Sequence, residues 1–176
     1  MRLRSLLRWA FSAVLISLIA ACEPTTGGSG ARLSAQNADA VRARHVDAIN
    51  ALRIERGLRP VQLSARLTAA AMTHARDMSI QQRAWHFGSD GTSPKDRAVR
   101  AGFLGRVVGE NISESFDDEL EVFQSWLADP ITRDVMLVPN AAAVGFSWFE
   151  EDGGKVWWVQ IFGSSPEAPL VARSAF

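Results

Sequence analysis

The sequence has little of several things that would mark a particular class of protein. It contains one cysteine, so no disulfide can form within the chain and the hydrophobic core alone must hold the fold. It has no tyrosine, and no apolar run reaches the roughly 20 residues that a membrane-spanning helix requires. Its 19 Lys and Arg residues balance 19 Asp and Glu residues. Because nucleic-acid-binding domains are usually basic, this balance argues against nucleic acid as a partner.

The N-terminus is the most informative segment of the chain. Three arginines precede an apolar run over residues 9–19, and small residues follow before Cys22. A charged region, a short hydrophobic region and a small-residue cleavage site are the order of a secretory signal peptide. Residues 19–22, Ile-Ala-Ala-Cys, also resemble the lipobox of bacterial lipoproteins, in which the signal is cut before a cysteine that carries lipid. We therefore predict a lipoprotein signal peptide over 1–21 and lipidation of Cys22. The alternatives are an ordinary signal peptide cut nearby and an uncleaved anchor.

Cleavage would leave about 155 residues, enough for one domain with a sizeable core. The signal removes three arginines and no acid, so the mature part carries 16 basic and 19 acidic residues, a net charge of −3. We expect a flexible tether over 22–36, a folded domain over 37–165 and a loose tail over 166–176. A lipid on Cys22 would hold the protein in the cell envelope. Because Glu23 rather than Asp follows the cysteine, we expect the periplasmic face of the outer membrane if the organism is Gram-negative.

Helical periodicity dominates the first half of the domain. Side chains at spacings of three and four residues line one face of a helix in each of two segments. They are Val41, His45, Ile49 and Leu52, then Leu67, Ala71, His74 and Met78. Gly57 ends the first helix, and Ser64 caps the second. Ser93 as a cap and Pro94 at the first helical position predict a short third helix.

The second half of the domain changes period. A fourth helix is predicted over 116–127, ended by Pro130. Residues 143–149 and 156–162 are rich in Val, Trp and Phe and predict two strands joined by an acidic hairpin loop that contains glycine. Strand alternation implies that one of the two adjacent tryptophans in the second strand faces outward. Helices first and a hairpin last predict an α+β layered domain.

Two side chains suggest chemistry by their type and context. His86 follows the second helix and begins a loop, where an acid–base or ligand residue is easily exposed. Glu110 stands between Gly109 and Asn111, residues that tolerate tight turns and can aim a carboxylate into a cleft. An imidazole and a carboxylate can bind a divalent metal such as zinc or transfer a proton. The alternatives are a His86 that packs against its own loop and a Glu110 that accepts hydrogen bonds from the backbone of a turn.

Five short motifs follow one another along the chain. They are Leu-Arg-Ile-Glu-Arg-Gly-Leu (52–58), His-Ala-Arg-Asp-Met (74–78), His86 with a Gly-containing loop and Ser-Pro-Lys-Asp-Arg (86–97), Ala-Gly-Phe (101–103) and Gly-Glu-Asn (109–111). Together they resemble the CAP superfamily of cysteine-rich secretory, antigen 5 and pathogenesis-related proteins, with their SCP-like extracellular domain, and in particular its bacterial lipoprotein branch. The resemblance extends over about residues 41–163, nearly the whole mature domain.

The resemblance implies a three-layer α/β/α sandwich, in which a small antiparallel sheet lies between helices. It also implies a central cleft lined by two histidines and two acidic residues, which bind zinc or a similar metal in some members. By position, His86 corresponds to the first histidine and Glu110 to the glutamate of the Gly-Glu-Asn motif. Asp129, three residues after Trp126, stands at the place of the second acid. These three residues are therefore candidate metal ligands; the alternative for Asp129 is turn chemistry at a helix end, beside Pro130.

The chain departs from the family pattern at the second histidine. Relatives read Ser-Pro-Gly-His-Arg, whereas this chain reads Asp-Pro-Ile-Thr-Arg over 129–133, so that Thr132 replaces the imidazole. A hydroxyl cannot act as a strong neutral nitrogen ligand, and one nitrogen with two oxygens makes a poor zinc site. We therefore expect an incomplete metal tetrad, with at most weak binding of a divalent metal such as zinc, and we assign no cofactor.

Three further polar residues receive structural interpretations. His74 lies on the apolar stripe of its helix and is interpreted as a core histidine. His45 is interpreted as structural, or as exposed on the first helix. Asp77 is expected to pair with Arg97 or Arg133, because a buried acid needs a partner.

Three functions remain open from the sequence. The first is a binding or scaffolding module, tethered to the envelope membrane through lipid on Cys22, with a lipid, a polysaccharide or a protein as ligand. The second is a peptidase-like hydrolase that uses His86 as a base and Glu110 as an acid or metal ligand. It requires the fold to bring a nucleophile such as Ser89 or Thr132 within hydrogen-bond reach of His86. The third is a purely structural lipoprotein without a ligand in its cleft.

Overall fold

The computed structural model describes residue 33 and residues 37–165. The predicted signal peptide over 1–21, the tail over 166–176 and all of the tether over 22–36 except Leu33 lie outside the described residues. The described part contains five helices and four strands. In chain order they are α1 (Ala38–Glu55), β1 (Gln62–Leu63), α2 (Ala65–Gln81), α3 (Pro94–Arg100), β2 (Val107–Glu114), α4 (Glu119–Ala128), α5 (Pro130–Met136), β3 (Ala143–Glu150) and β4 (Val156–Gly163).

The four strands form one sheet in the order β1-β3-β4-β2. The hairpin of β3 and β4 occupies its centre, and β2 pairs with β4 in the antiparallel direction. The short β1 pairs with β3 in parallel, so the sheet is mixed at that edge. Helices α1, α4 and α5 share a hydrophobic cluster with one face of the sheet, and helices α2 and α3 share a second cluster with the other face. The predicted three-layer α+β sandwich is confirmed.

Strand β4 contributes to both clusters by alternation. Trp158 and Phe162 belong to the cluster on the α1 side, whereas Trp157, Val159 and Ile161 belong to the cluster on the α2 side. Every residue of the strand is buried. The prediction that one of the adjacent tryptophans faces outward was wrong, because helices cover both faces of the sheet and leave no solvent-facing side at its centre.

The helix starts follow from their caps. Ser64 and Ser93 cap their helices as the sequence predicted. The Ser64 side chain accepts a hydrogen bond from the Leu67 amide, and Ser93 forms a reciprocal capping box with Asp96. The fourth helix begins later than expected, at Glu119, because the Asp118 side chain accepts hydrogen bonds from the first free amides.

Pro130 does not simply end α4. It stands at the first position of α5, a helix that was not predicted, and Asp129 is the cap of that helix. Proline is well suited to this position because its missing N–H has no partner within a helix.

The segment around Glu110 also differs from the expectation. Gly109, Glu110 and Asn111 form no turn but lie within β2, at the edge of the sheet. In the register of the sheet Glu110 stands opposite Ile161, and both side chains lie on the α2 face. Glycine in a strand often marks a close approach, and a Cβ atom on Gly109 would lie 2.7 Å from Cγ1 of Val135 in α5.

Helix α2 lies very close to the sheet. A Cβ atom added to Gly145 of β3 would collide with the backbone of Leu67 and Thr68, so glycine is required for this approach. Small side chains on the helix, including Ala70, Ala71 and Ala75, are buried against the strands. The close packing fixes the position of His74, which lies on the same face of α2.

Candidate functional site

His86 and Glu110 meet although 24 residues separate them. The Nδ1 atom of His86 lies 2.8 Å from Oε1 of Glu110. The Glu110 side chain is only 2% exposed, whereas the His86 side chain is 52% exposed. The loop that follows α2 therefore places an accessible imidazole on top of a buried carboxylate of β2.

Arg97 completes the pairing of this carboxylate. Its Nη2 atom donates to Oε2 of Glu110 over 2.7 Å, and both side chains are buried. Its Nη1 atom donates to the backbone carbonyl oxygens of His86 and Thr92. Arg97 was not predicted as a site residue. The available signal was its position within the Ser-Pro-x-x-Arg motif, in the helix that follows the His86 loop.

His74, on the buried face of α2, binds the backbone of the same segment. Its Nε2 atom lies 2.9 Å from the Trp85 carbonyl oxygen and 4.0 Å from Oε1 of Glu110. A carbonyl only accepts hydrogen bonds, so Nε2 carries the ring proton. Burial lowers the pKa of His74, which favours the neutral ring. The core interpretation agrees with this burial, and in addition His74 holds the backbone immediately before His86.

The site thus fixes His86 at three points. Its ring is bound by Glu110, its carbonyl oxygen by Arg97, and the preceding carbonyl oxygen by His74. An ionised carboxylate accepts hydrogen bonds only, so Nδ1 of His86 is the donor. Among residues 37–165 nothing occupies Nε2, which can meet a ligand at the exposed edge of the ring or take a proton.

Neither candidate nucleophile is poised beside His86. The Ser89 hydroxyl donates to Oδ1 of Asp77 over 2.6 Å. The Thr132 hydroxyl donates to the Trp126 carbonyl oxygen over 2.8 Å, and the Thr132 carbonyl accepts from the Asn111 amide. The condition set for nucleophilic catalysis by either residue is therefore not met in this arrangement.

The donor set does not fit a resident divalent metal. Both oxygens of Glu110 are engaged, one by His86 and the other by the cationic guanidinium of Arg97, which repels a metal cation. The Asp129 side chain accepts from the Ile131 amide at the start of α5, and the residue is exposed. Within residues 37–165, no three His, Cys, Asp or Glu side chains are grouped closely enough to hold a metal ion. The structure brings His86 and Glu110 together and does not add Asp129 to them.

Asp77 has other partners than expected. It accepts hydrogen bonds from the backbone amide and hydroxyl of Ser89 and from the Gln81 side chain. The predicted pairing with Arg97 was wrong, because the buried Glu110 takes that guanidinium.

His45 is buried on the opposite face of the sheet, in agreement with a structural role. Its ring stacks on Phe146 with centroids 3.6 Å apart, and Nε2 lies 3.0 Å from Oε1 of Gln160. Burial lowers the pKa of His45 to about 4, and hydrogen bonds to Gln160 and Glu119 oppose that effect.

Across the residues that the structure describes, no helix combines the length and the apolar character needed to cross a bilayer.

Known proteins resemble this chain in sequence and in fold. The uncharacterized protein YkwD of Bacillus subtilis (strain 168) is 29% identical over 118 residues, which cover 67% of this chain and 45% of that protein. An outer surface protein from Borrelia burgdorferi matches with a TM-score of 0.66 and 16% identity, over 77% of this chain and 98% of that one. An extracellular protein with an SCP domain from Bacillus anthracis str. Ames matches with a TM-score of 0.64 and 20% identity, over 69% and 39% of the two chains.

The two structures share the fold at low identity, and the chain spans less than half the length of the Bacillus subtilis relative. The decisive match is to the family described as "CAP: Cysteine-rich secretory protein family", over residues 46–162. That range contains both histidines of the site, its glutamate, its arginine and nearly all of the sheet. The chain therefore belongs to the CAP family, although it contains only one cysteine.

Proposed function

We propose that this protein is an exported, lipid-anchored CAP-domain module of the bacterial cell envelope, which binds a ligand or scaffolds a partner at the exposed edge of His86. The observation that carries the proposal is the half-exposed imidazole of His86, hydrogen-bonded to Glu110 of the buried Glu110–Arg97 pair. Groups held in place before a ligand arrives lose little entropy when it binds. A fixed and accessible imidazole nitrogen is therefore suited to recognition.

The chemistry around His86 favours binding over catalysis. No described hydroxyl group shares a hydrogen bond with the imidazole, and the arginine on Glu110 disfavours a catalytic metal. Polar contacts that need neither a nucleophile nor a metal remain available at the exposed side of the ring. Lipids, polysaccharides and proteins are the ligand classes that we retain.

The envelope location rests on the sequence of the N-terminus and has support from relatives. Two proteins that share the fold are described as an outer surface protein and an extracellular protein. The signal-like segment and the single cysteine at position 22 supply a route to the same compartment. Export followed by lipidation of Cys22 would hold the domain at a membrane surface.

The anchor is tested by expressing the full chain in its bacterial host and analysing the membrane fraction by intact-mass spectrometry. We expect a mature protein that begins at Cys22 and carries a diacylglycerol group, and a Cys22→Ser variant that leaves the membrane fraction. Wild-type protein with an unmodified thiol at Cys22 would contradict the anchor.

Ligand binding is tested with the mature protein in detergent micelles and two probes: soluble fragments of purified peptidoglycan and vesicles of bacterial phospholipid. We expect one probe to change the NMR resonances of His86 and its neighbours saturably, and a His86→Ala variant to lose this response. Asp152→Ala, in the exposed hairpin loop, is the matched control and should respond like the wild type. Responses that persist in His86→Ala would contradict a binding role for this residue.

A hydrolase remains the second candidate, because a carboxylate that orients an imidazole is also the arrangement of a general base. In that case His86 would activate a water molecule rather than a protein hydroxyl. Turnover of peptidoglycan fragments or peptides, followed by mass spectrometry, separates the two functions. Turnover that disappears in both His86→Ala and Glu110→Gln would favour the hydrolase, whereas saturable binding without turnover favours the module.

A further inference from the structure

A cavity of about 400 Å³ lies between α2, α3 and the loop that precedes α3. Ala69, Ala70 and Ala101 contribute apolar wall, and Asp77 and Ser89 contribute polar groups. The volume lies within the range of small-molecule sites, about 300–1,000 Å³. The cavity includes neither His86 nor Glu110 among its lining residues, so it lies beside the site described above and shares only Arg97 with it.

Small side chains keep the junction of the two helices open. Ala69 and Thr73 stand one turn apart on α2, and Ala101 directly follows α3. Ala69 is exposed, so its methyl group borders the cavity at the surface, whereas Ala70 is buried at 2% exposure. A larger side chain at position 69 would occupy the space without entering the hydrophobic core.

The loop wall of the cavity is tightly organised. A Cβ atom on Gly88 would lie 2.6 Å from the Thr92 hydroxyl oxygen and 2.7 Å from Oδ1 of Asp90, so glycine is needed there. Asp90 accepts from the Thr92 amide and hydroxyl, and it pairs with Arg100 over 2.6 Å. The hydrogen bonds from Thr92 and Arg100 hold the pKa of Asp90 below its usual range. The carboxylate of Asp90 is therefore compensated by a cation.

Asp77 has no such compensation. Its three described hydrogen bonds come from the amide and hydroxyl of Ser89 and from the amide side chain of Gln81, all of them uncharged donors. A carboxylate offers about four acceptor positions, so one position remains for a ligand. Within the described residues, the cavity wall thus carries one negative charge without a cationic partner.

Arg97 also lines the cavity, and its charge is paired elsewhere, with Glu110. It forms part of the wall, and its side chain is 4% exposed. Nη1 and Nη2 are occupied by backbone oxygens and by Glu110, whereas Nε is buried and has no hydrogen-bond partner in the described part of the chain. Because Nε has almost no exposed surface, a ligand in the cavity does not reach it, and Arg97 forms wall rather than offering a donor.

We propose that this cavity binds a small organic ammonium compound. The ammonium group donates to Asp77, and the carbon skeleton packs against Ala69 and Ala70. The charge-assisted contact at Asp77 gives the preference for a cation over a neutral molecule. Amino sugars and amino alcohols belong to this chemical class. The inference stands independently of the ligand at His86.

The proposal is tested with two matched pairs of probes: D-glucosamine against D-glucose, and ethanolamine against ethylene glycol. Each is titrated into the mature protein in detergent micelles that carries ¹³C-labelled alanine methyl groups. We expect the ammonium member of at least one pair to shift the methyl resonances of Ala70 and Ala101 saturably. We expect its neutral analogue to bind about tenfold more weakly. The proposal is overturned if the neutral member binds as tightly or if no probe produces a saturable shift.

Two variants separate the cavity from a general surface effect. Asp77→Asn keeps the shape and an acceptor oxygen but removes the charge, and it should abolish the preference for the ammonium probe. Ala69→Phe fills the mouth of the cavity and should remove binding of both members. Ala51→Phe, on the exposed surface of α1, is the matched control and should bind like the wild type. Asp77→Asn could also disturb the loop, which a shifted Ser89 amide resonance would reveal. In that case the Ala69→Phe variant is decisive, and unchanged binding in that variant would refute the cavity as the binding site.

Discussion

Each face of the sheet buries one helical histidine, and the two have different surroundings. His45 of α1 stacks on Phe146, contacts Gln160 and lies in an aromatic cluster that encloses it. His74 of α2 is equally inaccessible, but it holds the Trp85 carbonyl oxygen immediately behind the half-exposed His86. The histidine on the α1 face therefore belongs to a closed core, and the one on the α2 face forms the back of an accessible site.

The buried carboxylates also differ between the two faces, but in the opposite sense. Glu110, on the α2 face, is paired with a buried arginine, whereas Glu119 is paired with Arg44, whose side chain is 42% exposed. A buried ion pair contributes to stability only while both charges are present. Removing one partner leaves the other charge buried, without compensation and away from water. We therefore expect the loss of Glu119, whose partner is partly exposed, to cost less stability than the loss of Glu110, whose partner is buried.

The largest effect is expected from Glu110→Ala. The substitution leaves the Arg97 charge buried without its partner, and we expect a loss of about 3–5 kcal/mol in the free energy of unfolding. Glu119→Ala is the matched control on the other face and should cost about 1 kcal/mol, since Arg44 is already half in water. Urea unfolding followed by circular dichroism measures both. Equal losses for the two variants would remove the distinction between the faces.

The second prediction concerns the pH dependence that arises from His45. Burial lowers its pKa in the folded state from 6.5 to about 4, so the unfolded state binds more protons between these values. Stability is therefore fully present above pH 6.5 and is lost as the pH falls towards 4, by about 3 kcal/mol for this residue. Burial also lowers the pKa of His74, which adds a change of the same sign.

The contribution of His45 is isolated by comparing unfolding curves of the wild type and His45→Phe from pH 8 to pH 4. The variant is expected to be less stable at pH 8, because Gln160 loses its partner, and to show a shallower decline on acidification. Parallel pH profiles for the two proteins would show that His45 titrates normally and is not enclosed as described.

The smallest effect is expected from Asp129→Ala. The side chain caps α5 through the Ile131 amide, so its loss should cost about 1 kcal/mol of stability. The NMR resonances of His86 should not move, because Asp129 does not join the His86–Glu110 pair. A clear shift of the His86 ring resonances in this variant would show that Asp129 does belong to the site, as the family resemblance implied.

The elements that could be predicted from the sequence are those with strong local signals. Ser64 and Ser93 begin helices where hydroxyl caps precede apolar periodicity, and the hairpin of β3 and β4 has dense β-branched and aromatic residues. Strand β2 was missed because Gly109 and Asn111 have low strand propensity, and its pairing with β4 is a long-range contact. Helix α5 was missed because Pro130 was interpreted only as the end of α4.

The site was predictable through the family resemblance and not through spacing. His86 and Glu110 were both selected, and the structure brings them together. Arg97 and the supporting bond from His74 to Trp85 were not recognised, because both depend on the packing of α2 and α3 against the sheet. Sequence patterns show that a histidine lies on a buried face, but they do not show which atom it holds there.

The most direct test of the account is the tautomer of His86, measured by ¹⁵N NMR of the labelled imidazole ring at pH 8. If Glu110 fixes the ring as described, the proton resides on Nδ1, Nε2 carries the free lone pair, and Glu110→Gln alters this distribution. A wild-type ring with its proton on Nε2, or one that averages freely between both tautomers, would contradict the oriented imidazole on which the proposed binding role depends.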